Sequence, residues 1–149
     1  MPNLGLSVGE GISAWKSSGL SSSELGKART LLDDLSENFE VEKEGDIDAV
    51  TAISGSGPAY FFLFAKSLEK SARALGLSES QARALVEKTL SASASLQKGK
   101  SYEELISAIA SKGGTTEAAL KVFNERQLSN IVEEAAKAAY ERAQKLSNE

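Results

Sequence analysis

The feature that most constrains this chain is a helix whose first turns have almost no polar side. Pro58 is followed by Ala59, Tyr60, Phe61, Phe62, Leu63, Phe64 and Ala65, with Leu68 completing the run. Pro58 suits a first helical turn, where its absent N–H is not needed, and Gly76 supplies a stop. A helix that is apolar nearly all round at its start has to be central and buried. In a chain of 149 residues, about one domain, such a helix beside others paved with small residues predicts a core shared between two copies.

The rest of the chain punctuates itself in the same way. Ser21-x-x-Glu24, Ser78-x-x-Gln81 and Ser101-x-x-Glu104 are capping boxes, each opening a helical pattern. The first carries Leu25, Ala28, Leu31, Leu32 and Leu35 on one face. The second runs to Leu96 with Ser91, Ala92, Ser93 and Ala94 on its surface, a row that lets another helix approach closely, and Gly99 stops it. The third runs to Ala110. Helices then follow from about Thr116 to Asn124 and from Leu128 to Leu146. Before Asp46 the chain is different: residues 8–15 and the alternation Phe39-Glu40-Val41-Glu42 read as two short strands around the first helix. A short helix over 46–53 is expected to break at Ser54-Gly55-Ser56-Gly57-Pro58. The fold is therefore mainly α, a bundle of about six helices interlocked with a second subunit, with two short N-terminal strands. Residues 1–45 form a junction segment and residues 46–149 the helical domain.

Composition removes several kinds of chemistry. Apolar residues make up 41% and charged residues 26%, the balance of a soluble globular protein. The net charge is −4 and both signs are interleaved, so no basic cluster exists to displace counterions from a nucleic acid. There is no Cys and no His, which excludes the usual metal sites, thiol nucleophiles and imidazole shuttles. No apolar run is long enough for a membrane span. No secretory signal is present, and a cytoplasmic location is expected.

Three segments carry a family resemblance. Met1-Pro2-Asn3, with Val8-Gly9-Glu10-Gly11 after it, resembles the domain-junction segment of pyrroline-5-carboxylate reductases. The run from Asp48 through Ser54-Gly55-Ser56-Gly57-Pro58-Ala59-Tyr60 is similar to that family's Gly-rich helix break, nearly residue for residue. Ser111-Lys112-Gly113-Gly114-Thr115-Thr116 resembles its Gly-Gly-Thr-Thr loop. Order and spacing match along the whole chain.

That resemblance implies reduction of pyrroline-5-carboxylate to L-proline with NADPH or NADH, the last step of proline synthesis. It implies a helical domain that dimerises, with dimers assembling into decamers in some members, and strands belonging to a Rossmann half that this chain lacks. It places the substrate carboxylate on backbone N–H groups of the loop formed by Ser111, Gly113, Gly114, Thr115 and Thr116. Thr116 would hydrogen-bond the ring nitrogen, and Met1, Pro2 and Asn3 would lie beside the nicotinamide.

The residues themselves leave two readings open at each motif. Gly113 and Gly114 allow positive φ and close approach, and N–H groups at a helix start favour an anion. The same residues serve equally as a C-cap and N-cap joining two helices. Ser54–Gly57 is either a row of backbone donors or a tight turn for close packing, and β-branched residues at Gly55 or Gly57 would resist positive φ. The aromatic group Tyr60, Phe61, Phe62 and Phe64 reads as core rather than a ligand cage. Glu133, Glu134, Lys137, Glu141, Arg142 and Lys145 read as a solvated face with i,i+4 pairs.

Two departures from the family pattern matter. Leu4-Gly5-Leu6 replaces its Thr-Pro-Ala, and Lys112 replaces a proline, which either relaxes the loop or adds positive charge beside a carboxylate. No G-x-G-x-x-G follows a strand, so no dinucleotide is expected to bind this chain alone, and no metal site is expected. Three functions remain: the C-terminal part of such a reductase, a non-catalytic obligate dimer that binds at most a small carboxylate, or a different two-domain dehydrogenase.

Overall fold

The computed structural model describes residues 1–97 and 99–149. The N-terminal segment makes a 3-10 turn, Leu4–Val8, then strand β1, Ile12–Trp15. Helix α1, Ser22–Leu35, leads to strand β2, Glu37–Glu40, and seven further segments are helical: α2 Asp46–Val50, a π-turn Thr51–Gly55, α3 Gly57–Ala74, α4 Glu79–Leu96, α5 Tyr102–Ile109, α6 Thr115–Glu125 and α7 Leu128–Ser147. No helix is long and apolar enough to cross a membrane among the described residues.

The expected capping boxes form. Ser21, Ser78 and Ser101 each accept from the backbone N–H three residues on, while the Glu24, Gln81 and Glu104 side chains accept from the cap N–H at 2.9, 3.0 and 2.9 Å. Each box satisfies two donors that a helix start would otherwise leave unpaired. Gly76, at φ 97°, ends α3 and Gly99, at φ 74°, follows α4.

Two strand boundaries differ from the sequence reading. The first strand is only Ile12–Trp15, because residues 4–8 coil instead: a side chain at Gly5 would meet Glu10 O at 2.5 Å, and one at Gly11 would meet Leu6 at 2.6 Å. The second strand is Glu37–Glu40 rather than 39–42, since parallel pairing with β1 sets its register, Ala14 opposite Phe39. Neither edge of β1 is bare. Pro2 bridges Ser13 from the opposite side, and the Ala14 N–H donates to Met1 O at 3.0 Å.

The expected break at residues 54–58 is a widened turn rather than a gap. The Ser56 N–H reaches back to Thr51 O at 2.9 Å, five residues away, and α3 begins at Gly57. Gly55 and Gly57 do not have positive φ, which corrects the conformational argument made for them. Gly55 is constrained by space: a Cβ there would meet the Met1 terminal methyl at 2.7 Å.

The chain forms two compact units, residues 1–60 with 133–149, and residues 61–132. In the first, β1 pairs with β2, α1 packs on β2 and α2 on β1, and Ala14, Val41 and Ala52 are buried. Arg29 of α1 stacks over the Trp15 ring at 5.7 Å and pairs with Glu40 at 3.1 Å, which holds the helix to the sheet. Trp15 Nε1 donates to Asn38 Oδ1 at 3.0 Å. In the second unit Ala82 and Val86 of α4 are buried, and Phe64 meets Phe123 with ring centroids 6.1 Å apart.

The apolar helix behaves differently from its sequence expectation. Phe61, Phe62 and Leu63 are 66%, 60% and 66% exposed, and every buried apolar side chain described is Ala or Val. A single copy therefore leaves its largest apolar groups in water, where each forgoes about 1.5–3 kcal/mol of burial. Among the described residues, the i,i+4 ion pairs expected on α7 do not form either; the ion pair described there joins Arg142 to Glu149 at 3.3 Å.

Candidate functional site

The loop between α5 and α6 is built by its glycines. α5 ends at Ala110, whose N–H still reaches Ile106 O, and the chain then turns through Ser111 and Lys112. Gly113 takes φ 74°, the left-handed region that suits glycine. Gly114 does not: at φ −83° and ψ 172° it is the extended N-cap of α6. Its requirement is close approach, because a Cβ there would meet Ser111 Oγ at 2.5 Å and Ser111 O at 2.9 Å. Of the two glycines expected to exploit positive φ, only Gly113 does so.

The hydrogen bonds of this corner leave donors free. The Gly114 N–H closes the turn onto Ser111 O at 2.9 Å, and the Ala118 N–H begins the helical ladder on Gly114 O at 3.2 Å. The N–H groups of Thr115, Thr116 and Glu117 have no acceptor among the described residues. They are the first three amides of an 11-residue helix, and they carry its positive dipole end. Thr116 is half-buried beside them, while Ser111, Gly113 and Thr115 are exposed.

One residue was overlooked in the sequence. Glu117 bends back so that the Gly113 N–H donates to its Oε2 at 2.8 Å. The bond falls one residue before the N-cap, Gly114, whose own N–H goes to Ser111 O, so it is not a capping box; Glu at the third helical position was the sequence signal for a side chain that turns back on the loop. Glu117 takes the Gly113 N–H, while the N–H groups of Thr115, Thr116 and Glu117 stay without an acceptor among the described residues. Lys112 is exposed and makes no ion pair among the described residues.

The N-terminal triad belongs to the other unit. Asn3 Oδ1 accepts from the Gly5 and Ile12 N–H groups at 3.1 and 3.3 Å, and Asn3 Nδ2 donates to Ser54 Oγ at 3.2 Å. Met1 packs on Gly55 and Pro2 bridges Ser13. Two of the matched segments are thus joined, the triad and the widened turn. Tyr60 fastens that turn from α3, its hydroxyl donating to Ala52 O at 3.0 Å. Below Ser54 lies an apolar cleft of about 380 Å³ lined by Ile12, Ala14, Phe39, Ala49, Val50 and Ile53.

The arrangement tests what a dinucleotide would need. Gly9-Glu10-Gly11 lies between the 3-10 turn and β1, with Gly9 at φ 75° as the cap of that turn. A pyrophosphate cradle needs the reverse order, strand then glycines then helix N-terminus. These glycines shape a turn and do not fit the phosphates.

Comparison with known proteins bears on these elements. A family model described as pyrroline-5-carboxylate reductase dimerisation matches residues 44–146. Pyrroline-5-carboxylate reductase 2 of Bacillus subtilis is 36% identical over 148 residues, covering 95% of this chain and 53% of its own length. The reductase of Vibrio alginolyticus is 43% identical over 109 residues, 71% of this chain and 40% of the relative. The chain therefore spans about half the length of the curated relatives it matches. Among solved structures, a pyrroline-5-carboxylate reductase from Coxiella burnetii superposes with TM-score 0.88 at 33% identity, over 98% of this chain and 55% of that one. The Plasmodium falciparum enzyme with NADP bound gives 0.84 at 32% identity, over 96% and 59%. With both its Gly-rich turn and its Gly-Gly-Thr-Thr corner inside the matched span, the chain belongs to the pyrroline-5-carboxylate reductase dimerisation family.

Proposed function

We propose that this chain is the C-terminal, dimerising and substrate-holding portion of a pyrroline-5-carboxylate reductase, whose complete form reduces 1-pyrroline-5-carboxylate to L-proline with NADPH or NADH in proline biosynthesis. The observation that carries this reading is the corner at Gly113–Glu117, which offers three unpaired N–H groups inside the family-matched span. Residues 1–45 would close the nucleotide-binding domain and residues 46–149 would form the helical domain. The working molecule is a homodimer or a larger assembly of dimers, in the cytoplasm. The exposed faces of α3 support association.

The chemistry asked of this chain is orientation. The substrate carboxylate sits on the N–H groups of Thr115, Thr116 and Glu117, where the helix dipole favours negative charge. The Thr116 hydroxyl donates to the ring nitrogen and so fixes the C=N bond in one plane. Ser111, Gly113 and Gly114 shape the loop. A bound nicotinamide nucleotide supplies a hydride to the imine carbon, and the ring nitrogen gains a proton. Holding the acceptor carbon within reach of that donor is the chain's contribution to rate.

The test is thermal. L-proline at millimolar concentration raises the melting temperature of the chain, as any ligand selective for the folded state does, and Thr116→Ala diminishes the rise. The alternative is a non-catalytic obligate dimer, and the lack of a phosphate cradle favours it for the chain standing alone. A folded dimer indifferent to proline and to ring analogues decides for that alternative.

A further inference from the structure

We draw no further inference here: the strongest candidate, the corner at the start of α6 where the Gly113 N–H donates to Glu117 Oε2 at 2.8 Å, belongs to the site already described and is a helix N-terminus at which nothing else in the structure points to a ligand.

Discussion

Gly113 and Gly114 are neighbours of identical chemistry that the structure uses for different physical reasons, and substitution separates them. At Gly113, φ is 74° and an added Cβ would touch nothing within 4 Å. Alanine there costs only the left-handed backbone penalty, about 1 kcal/mol, and asparagine costs less because it tolerates that region. At Gly114 the backbone is ordinary, but the Cβ would meet Ser111 Oγ at 2.5 Å and Ser111 O at 2.9 Å. The hydroxyl can rotate away. The carbonyl cannot, because it also accepts from the Gly114 N–H at 2.9 Å. The turn must open, and overpacking of this kind costs about 2 kcal/mol. With about 3 °C per kcal/mol for a chain of this length, Gly113→Ala lowers the melting temperature by about 3 °C and Gly114→Ala by about 6 °C. Replacing Ser111 by Ala in the Gly114→Ala background recovers less than half of the loss, since the carbonyl remains. Differential scanning fluorimetry and urea melts of wild type, Gly113→Ala, Gly114→Ala, Ser111→Ala and the Ser111/Gly114 double variant give the comparison and the cycle. A Gly114→Ala protein no less stable than Gly113→Ala, or one fully rescued at Ser111, would refute the steric argument.

The other expectations are shorter. Ser101→Ala removes the cap of α5 and is expected to cost about 1 kcal/mol in a denaturant melt. Hydrogen bonds from the Ser21 hydroxyl and then its N–H hold Glu24 below the ordinary value of 4.5, and the Ser101 N–H and then hydroxyl do the same for Glu104. The Ser17 hydroxyl, chiefly, lowers Glu40. Because each folded-state value is depressed, its stabilisation is complete above pH 4.5 and is lost as the pH falls through the lower folded value. Melting temperature should therefore decline with acidification below that point, and less steeply in Ser21→Ala and Ser101→Ala. Phe61→Glu places a charge on an apolar surface that is 66% exposed in one copy; sedimentation should show a dimer weakened at least about tenfold. A dimer unchanged by that substitution would move the interface elsewhere. Glu117→Ala releases the Gly113 N–H and should lower stability by about 0.5–1 kcal/mol, whereas Glu117→Gln, which still accepts, should not.

The helices are readable in the sequence because their signals are local. A Ser three residues before Glu or Gln starts a helix with the side chains of one turn, and Gly76 stops α3 with its own backbone freedom. Neither depends on a distant residue. The family motifs were readable for the same reason, since the Gly-rich turn and the Gly-Gly-Thr-Thr corner are contiguous in the chain.

What the residues encode only in combination was not legible. The register of β2 depends on β1, each residue pairing with one 25 positions away, and pairing moved the strand to Glu37–Glu40. Asn3 reaches Ser54 over 51 residues, and nothing in either segment announces the other. The demand for glycine at positions 55 and 114 comes from the atoms that approach them, a methionine methyl in one case and a carbonyl in the other. The aromatic run of α3 predicted burial, yet one copy leaves Phe61 and Phe62 in water. Periodicity reports that a face is apolar; it contains no information about which surface covers it. Local sequence determined where helices begin and end. Long-range packing determined the register of β2 and the need for glycine at position 55, because those properties belong to pairs of atoms far apart in the chain and close together in space.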